Sequence, residues 1–191
     1  MAKRVIVPVA NGFEEIEAVT IIDILRRAGL DVVVAGVEGT DVVGSHDIAL
    51  RCDAMIDECK DAEAIVLPGG MPGSRRLREN DVVRGCIARL HAEGKLLAAI
   101  CAAPTVLESC GVLEGRRATS HPNHTNEMKR CIYVNDAVVV DGNIITSRGA
   151  GTAIQFSAAV VRYLIDDKTA DDILTRIQFN STSSETGKSR D

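Results

Sequence analysis

Cys101 stands where a cysteine could serve as a nucleophile. It closes the apolar segment 95–101, which is typical of a buried strand, and precedes the segment 102–111, which is typical of a short helix. Pro104 would lie in the first turn of that helix and Gly111 just past its end. Peptide dipoles at a helix N-terminus favour a thiolate. A thiolate on a strand-to-helix turn has the geometry of a nucleophile elbow, so the sequence predicts catalytic or redox-sensing cysteine chemistry.

Backbone groups near the elbow could stabilise negative charge. Gly69 and Gly70 follow a buried strand predicted over residues 64–67, and no side chain obstructs their N–H groups. With the N–H of Ala102 they resemble an oxyanion hole. Pro68-Gly69-Gly70 alone indicates only a turn, so the combination with the elbow is what is specific.

Acidic residues crowd the start of a helix predicted over residues 14–27. Glu14 and Glu17 lie close to one face of it, whereas Glu15 points elsewhere. Glu17 is next to Ile16, a position expected to face the core. A carboxyl beside a thiolate is expected to stay protonated, because close like charges disfavour each other, and it could then supply a hydrogen bond or a proton. Interaction with the helix dipole is the commoner reason for such a cluster.

Histidines supply a further candidate group. His121 and His124 lie in a loop-rich stretch, 112–133, and either could reach the crevice as a base or an orienting group, although a lone loop histidine more often only hydrogen-bonds. The remaining cysteines have no regular spacing and no CxxC pair, so we expect free thiols and no metal site. These cysteines are Cys52, Cys59, Cys86, Cys110 and Cys131.

Composition excludes several functional classes. The 191 residues are 46% hydrophobic and 26% charged, which is typical of a soluble globular protein. A net charge of −5 without a basic run argues against direct nucleic-acid binding, and no apolar stretch is long enough to span a membrane. The N-terminal segment is not typical of a signal peptide, which favours the cytoplasm. We expect one domain over residues 1–178 and a disordered tail over 179–191.

Strands and helices alternate along the chain, which predicts an α/β sheet that is mostly parallel and covered by helices on both faces. Three strand ends carry distinctive residues, namely Asn11-Gly12, Pro68-Gly69-Gly70 and Cys101, and in such sheets they converge on one crevice. The predicted strands span 5–9, 31–35, 64–67 and 95–100, with a hairpin of 137–140 and 144–147 and a short antiparallel excursion within 38–60. Further helices are predicted over 81–93, 152–165 and 170–177, and the first helix places Ile16, Val19, Ile22 and Leu25 at three-residue spacing.

These residues carry a family resemblance. The chain resembles the DJ-1/ThiJ/PfpI superfamily, and within it the DJ-1 branch of Parkinson-associated protein deglycases, over residues 4 to about 178. The resemblance implies a flavodoxin-like three-layer sandwich and a homodimer. The matching segments are Gly12-Phe-Glu-Glu-Ile-Glu-Ala-Val19, Arg26-Arg-Ala-Gly29, Val66-Leu-Pro-Gly-Gly70, Ala98-Ala-Ile-Cys-Ala-Ala-Pro104, Ser120-His-Pro122 and Thr146-Ser-Arg-Gly-Ala-Gly-Thr152.

The resemblance also implies roles for individual residues. Glu17 would hydrogen-bond Cys101, which would oxidise readily to a sulfinate, and the Gly70 N–H would stabilise the oxidised sulfur. His46 stands where animal members carry an arginine close to the cysteine across the dimer. Ala102 replaces the histidine of protease-like members, which argues against proteolysis. No His-x-Glu pair follows His124, which argues against an amidotransferase.

The activity implied is a cysteine-dependent, cofactor-independent glyoxalase that converts methylglyoxal to lactate, or a deglycase. Either would protect against reactive carbonyls and oxidative stress. The substrate would be a small reactive aldehyde or a glycated molecule, with Cys101 as nucleophile, Glu17 as proton shuttle and His121 assisting. The alternative is a redox sensor and redox-regulated chaperone that uses oxidation of Cys101 without important turnover.

Overall fold

The computed structural model describes residues 2–179, which form eleven strands and six helices. The strands are β1 Arg4–Val9, β2 Asp31–Gly36, β3 Asp41–Val43, β4 Ala49–Arg51, β5 Ala54–Met55, β6 Ala64–Leu67, β7 Leu96–Ile100, β8 Arg117–Ala118, β9 Ile132–Tyr133, β10 Val138–Asp141 and β11 Ile144–Ser147. The helices are α1 Glu15–Arg27, α2 Gly73–Glu79, α3 Asp81–Ala92, α4 Pro104–Ser109, α5 Ala153–Leu164 and α6 Asp167–Arg176. Short 3-10 turns span Ile56–Glu58, Pro122–Glu127 and Ala150–Thr152.

Seven strands form the main sheet, in the order β10-β11-β7-β6-β1-β2-β5. All neighbours in it pair in parallel except β10 and β11, which form the predicted antiparallel hairpin. The five central strands, counted in chain order, follow the flavodoxin-like order 2-1-3-4-5. The predicted α/β fold is therefore confirmed, and β3 and β4 form the antiparallel excursion expected within residues 38–60.

Helices cover both faces of the sheet, and each face has its own hydrophobic core. On β1, Val5, Val7 and Val9 belong to the core beneath α1, α5 and α6, whereas Ile6 belongs to the core beneath α2, α3 and α4. Because successive strand residues point to opposite faces, a strand buried on both sides needs a continuous apolar run. The segment Val5–Val9 is such a run, and all of its apolar side chains are buried.

The inward face of α1 differs from the prediction. Ile16 and Val19 are 59% and 51% exposed, while Ala18, Ile21 and Leu25 are fully buried. A helix turns about 100° per residue, so each three-residue step falls about 60° short of a full turn. A strict three-residue spacing therefore leaves one face within three steps, which explains why the expectation for Ile16 was wrong.

Two helices begin at residues other than those predicted, because side-chain caps fix their first turns. Glu14 is the N-cap of α1, where its carboxylate accepts the Glu17 N–H at 2.7 Å. Asp166 caps α6 in the same way through the Thr169 N–H at 2.7 Å, so α6 begins before the predicted Ala170. The sequence missed α2, because Pro72 and Gly73 at its start are turn signals.

Two expectations concern the ends of the chain and membranes. The tail predicted over 179–191 lies outside the described residues, apart from Phe179, whose N–H donates to the Leu174 carbonyl at 2.9 Å. Within residues 2–179, no helix combines the length and the apolar character that a membrane crossing requires.

Candidate active site

Cys101 occupies a sharp turn between β7 and α4. Its φ is +65°, in the left-handed region that residues with a Cβ rarely adopt. Two backbone hydrogen bonds hold the turn: the Cys101 N–H donates to the Ser147 carbonyl at 2.9 Å, and the Cys101 carbonyl accepts the His121 N–H at 2.8 Å. Such a conformation costs about 1–3 kcal/mol and persists only where the surroundings enforce it. The structure therefore places Cys101 on a strained elbow, as predicted.

Glu17 is a fully buried carboxyl beside this elbow. Its Oε2 accepts the Gly69 N–H at 2.8 Å, and its Oε1 has no hydrogen-bond partner of its own among the described residues. Burial raises the pKa of Glu17 to about 7, against the lowering by the Gly69 N–H and the Cys101 thiol. This is the predicted direction, and it makes Glu17 a group that can hold or release a proton near neutral pH.

Gly69 lies between Glu17 and Cys101, and both are too close to it to leave room for a side chain. A Cβ on Gly69 would lie 2.6 Å from the Cys101 Cβ and 2.7 Å from the Glu17 Oε2. Both distances are too short for non-bonded atoms, so only a glycine at position 69 allows the Glu17 carboxyl and Cys101 to approach each other this closely. The parallel pairing of β6 with β7, which sets Leu67 opposite Ala99, brings the two strand ends together.

The thiol itself differs from the expectation of a dipole-stabilised thiolate. Burial and then the negative charge of Glu17 raise the pKa of Cys101 to about 12, against the lowering by the N–H groups of Gly70 and Ala102. The contribution from Glu17 exists only while Glu17 is ionised. Cys101 and Glu17 therefore form a pair that loses its first proton near pH 7 and retains the second toward pH 12, and a thiolate forms when the retained proton resides on Glu17.

Two of the three predicted backbone donors, the N–H groups of Gly70 and Ala102, act on the sulfur of Cys101, whereas the Gly69 N–H donates to the Glu17 Oε2 instead. The N–H groups of Gly70 and Ala102 both act to lower the pKa of the Cys101 thiol, because a backbone N–H near sulfur favours the thiolate. Gly70 has a φ of +93°, and a Cβ there would lie 2.3 Å from the Glu14 backbone nitrogen. The chain therefore requires glycine at this position, and the resulting pocket can stabilise negative charge on sulfur or on an attached oxygen.

His121 is joined to the elbow through its backbone. Its ring Nδ1 accepts the Asn123 N–H at 3.2 Å, and the ring lies edge-on to His124 with the centroids 6.3 Å apart. His124 in turn contacts Glu127, with 2.8 Å between Nδ1 and Oε1. The structure thus brings the main chain of His121 to the site and engages His124 in a separate hydrogen bond with Glu127.

His46 is placed by the β3–β4 hairpin against α1. Its backbone N–H donates to the Glu15 Oε1 at 2.6 Å, and its ring Nδ1 lies 2.9 Å from the Glu15 Oε2. Burial by itself would raise the pKa of Glu15, but the hydrogen bonds from His46 lower it to about 2. The hydrogen bond to Glu15 in turn raises the pKa of His46. No contact recorded within residues 2–179 joins His46 to Cys101.

Sequence reasoning missed two contributions to this region. Glu15 is almost fully buried and anchors the hairpin, although its helix position pointed away from Glu17. With Glu14 and His46 it forms the group whose ligand atoms lie within 4.8 Å of one another, so these are the described residues that could hold a cation. Ser147 supplies the carbonyl that accepts the Cys101 N–H. Its position at the end of β11, the strand that pairs with β7, could have indicated this contact.

The pair predicts an unusual pH profile for Cys101 alkylation. In the wild type the rate rises to about pH 7, levels off once Glu17 is ionised, and rises again only toward pH 12, because the Glu17 charge opposes the thiolate. Glu17→Gln removes that charge, so the break near pH 7 disappears and the thiol titrates below pH 12. Iodoacetamide labelling read by peptide mass distinguishes Cys101 from the other thiols. Identical profiles in the two proteins contradict the pairing.

Gly69→Ala should disrupt the contact between Glu17 and Cys101. The added Cβ forces one of them to shift, so we expect a loss of about 1–3 kcal/mol in the free energy of unfolding, measured with urea. The break near pH 7 in Cys101 alkylation should also disappear. Gly85→Ala is the matched control, because the space around Gly85 in α3 is open and the change should stabilise by about 0.4–1 kcal/mol. Equal stability of the two variants contradicts the close approach.

Comparison with known proteins assigns the family. Residues 3–163 match the DJ-1/PfpI family model. The chain is 39% identical over 173 residues to protein DJ-1 homolog B of Arabidopsis thaliana, covering 88% of this chain but only 40% of that protein, so it spans about two fifths of that relative's length. It is 35% identical over 149 residues to a deglycase of Pyrococcus horikoshii, covering 76% of this chain and 89% of that one. The crystal structure of Drosophila melanogaster DJ-1beta superposes with a TM-score of 0.92 at 37% identity, covering 94% of this chain and all of that one. The chain belongs to the DJ-1/PfpI family.

Proposed function

We propose that this protein is a cysteine-dependent enzyme that converts 2-oxoaldehydes such as methylglyoxal to 2-hydroxy acids, or removes the adducts they form, without a cofactor. The observation that carries the proposal is the strained Cys101 with the buried Glu17 carboxyl across Gly69. A nucleophile, a proton carrier with a pKa of about 7 and backbone donors lie at one point, which are the parts that such chemistry needs. The similarity to a deglycase supports the same class of substrate.

The proposed reaction uses the shared proton in each step. With the proton on Glu17, the Cys101 thiolate attacks the aldehyde carbon, and Glu17 gives its proton to the carbonyl oxygen, which forms a hemithioacetal. The Glu17 carboxylate then takes the proton from the former aldehyde carbon and returns it to the neighbouring ketone carbon, while the hydroxyl proton of the adduct passes to the former ketone oxygen. The product of this isomerisation is a 2-hydroxy thioester. Water attacks the thioester, the carbon–sulfur bond breaks, and the acid leaves as the thiol regains its proton. The sum is addition of one water to the oxoaldehyde, with no net oxidation.

The test is lactate production from methylglyoxal without glutathione. Cys101→Ala should abolish it, and Glu17→Gln should reduce kcat about 10²–10⁴-fold, the usual contribution of a positioned proton-transfer group. Cys110→Ala is the matched control: it removes another half-buried thiol, at the end of α4, and should keep wild-type activity. Equal lactate production by the wild type and Cys101→Ala would falsify the proposal.

A redox sensor is the second candidate, favoured by the two backbone donors at sulfur. Two molecules of peroxide would convert the thiolate to a sulfinate and release two waters. The N–H groups of Gly70 and Ala102, together with a protonated Glu17, would then stabilise the anionic product. A chaperone activity regulated by this oxidation belongs to the same proposal.

Intact-mass measurement after mild peroxide tests the sensor. One chain should gain two oxygens selectively at Cys101, and the gain should vanish in Cys101→Ser but persist in Cys110→Ser. Oxidation spread over several cysteines, or no addition at Cys101, contradicts this role. Methylglyoxal turnover by the reduced protein is measured in parallel, because the two functions use the same residues.

We further propose that the protein is a homodimer formed through α1 and the β3–β4 hairpin. Ile16, Val19 and Ile48 are between 51% and 59% exposed, and the contact of Glu15 with His46 sets the hairpin beside α1. Ile16 and Val19 are spaced i, i+3 on one face of α1, and exposed apolar side chains grouped in this way are typical of protein–protein contact surfaces. His46 lies at its edge, so in a dimer it would be available to the partner's elbow.

Sedimentation equilibrium tests this arrangement. The wild type should have twice the 20.4 kDa mass of one chain. Val19→Asp should give a monomer, because a charge would be buried without a partner. Val82→Asp on α3, at a valine that is 43% exposed, is the matched control and should leave the dimer intact. A monomeric wild type, or a dimeric Val19→Asp, rules out this interface.

A further inference from the structure

A cavity of about 340 Å³ lies beside the elbow helix, and the proposed chemistry does not use it. Its floor is the face of α4 that carries Thr105, Glu108 and Ser109, and its rim consists of Arg78, Asn126, Glu127, Lys129 and Arg130. Ligand sites in proteins start at about this volume and combine a few polar groups placed to converge.

The floor offers hydrogen-bond acceptors and no donors. The Thr105 hydroxyl donates to the Ala102 carbonyl at 2.7 Å, and the Ser109 hydroxyl donates to the Val106 carbonyl at 2.7 Å, so only their lone pairs remain. Because the three positions are spaced i, i+3 and i+4, they share one face of the helix. A ligand bound to this face must therefore bring its own donors.

Glu108 gives the floor its charge. The residue is 6% exposed, and its Oε1 accepts the Arg130 backbone N–H. Its Oε2 is buried and has no partner among residues 2–179. A buried carboxylate oxygen without a donor carries an uncompensated desolvation cost, and an ammonium group is the donor-rich cation that removes it.

The rim carries a net charge of the opposite sign, because it holds Arg78, Lys129 and Arg130 but only one carboxylate, Glu127. Lys129 and Arg130 are exposed and form no side-chain ion pair with any carboxylate of the described residues, whereas Arg78 pairs with Glu127 at 2.8 Å. An anion alone would be repelled by Glu108, and a cation alone would leave the rim unpaired. The two halves of the cavity are complementary to a molecule that carries both charges a short distance apart.

We propose that this cavity binds a small zwitterion of the free α-amino acid class. The ammonium group binds Glu108 and the hydroxyl oxygens of α4, and the carboxylate binds the Lys129 and Arg130 side chains. The inference goes beyond the proposed function, since it concerns equilibrium binding and does not depend on the reactivity of Cys101.

Calorimetric titration with three probes tests the requirement for both charges. The probes are L-alanine, its methyl ester, which lacks the carboxylate, and N-acetyl-L-alanine, which lacks the ammonium. L-Alanine should bind saturably, and each blocked probe should bind at least about tenfold more weakly, since one charged hydrogen-bonding group is lost in each. Absence of L-alanine binding, or a blocked probe that binds as tightly, overturns the proposal.

Variants then locate the site. Glu108→Gln keeps an oxygen for the Arg130 N–H but replaces the free carboxylate oxygen, and should weaken L-alanine binding about tenfold or more. The exposed double change Lys129→Gln with Arg130→Gln should do the same without threatening the fold. Lys168→Gln with Arg176→Gln, at exposed positions of α6, makes the same charge change and should bind as the wild type does. Wild-type binding by the Lys129/Arg130 variant, or equal weakening in the α6 control, overturns the assignment; the same titrations in Cys101→Ser should be unchanged.

Discussion

The close approach of a buried carboxyl and a thiol across Gly69 is the constraint on which the rest of this structure depends. Burying a carboxylate in an apolar sheet is costly, and a second anion beside it would add to that cost. The pair meets the constraint by retaining one proton between Glu17 and Cys101. The Gly69 N–H at 2.8 Å from Glu17 and the donors at sulfur stabilise whichever member is charged.

The fold supplies the rigidity that this arrangement requires. Gly69 follows β6, Cys101 follows β7 and Ser147 ends β11, and these three strands are adjacent and parallel. Their carboxyl ends therefore meet at one edge, where the Ser147 carbonyl and the His121 N–H hold Cys101 at a positive φ. Glu17 comes from the first turn of α1, whose N-terminus is fixed by Glu14 as cap. Each functional group thus belongs to an element that packs in the hydrophobic core, so the packing of the core also fixes the position of the group.

A structural feature could be predicted from the sequence where the residues that determine it lie within a few positions of one another in the chain. The elbow at Cys101 and the glycines after β6 were predictable because strand ends and glycines are read within a few residues. The inward position of Glu17 was also found, although the face assigned to Ile16 was wrong because a three-residue spacing drifts around the helix. The net direction of the Cys101 pKa was missed, since it depends on burial and on a charge 84 positions away in the chain. The role of Glu15 was equally unreadable, because its partner His46 comes from a hairpin that local signals only outline.

The shared proton also relates the two proposed functions to each other. Carbonyl chemistry requires Glu17 to accept and release its proton in every turnover, which suits a pKa of about 7. A sulfinate on Cys101 would be a permanent anion at neutral pH, and its charge would raise the pKa of Glu17 further and keep the proton in place. The same hydrogen bond that would stabilise the oxidised sulfur would therefore disable the proton shuttle, apart from the loss of the nucleophile itself. The two proposed functions would therefore use two states of one proton-sharing pair: the reduced pair would turn over an aldehyde, and the pair with a sulfinate on Cys101 would not. The oxidant level would then set the fraction of molecules available for catalysis.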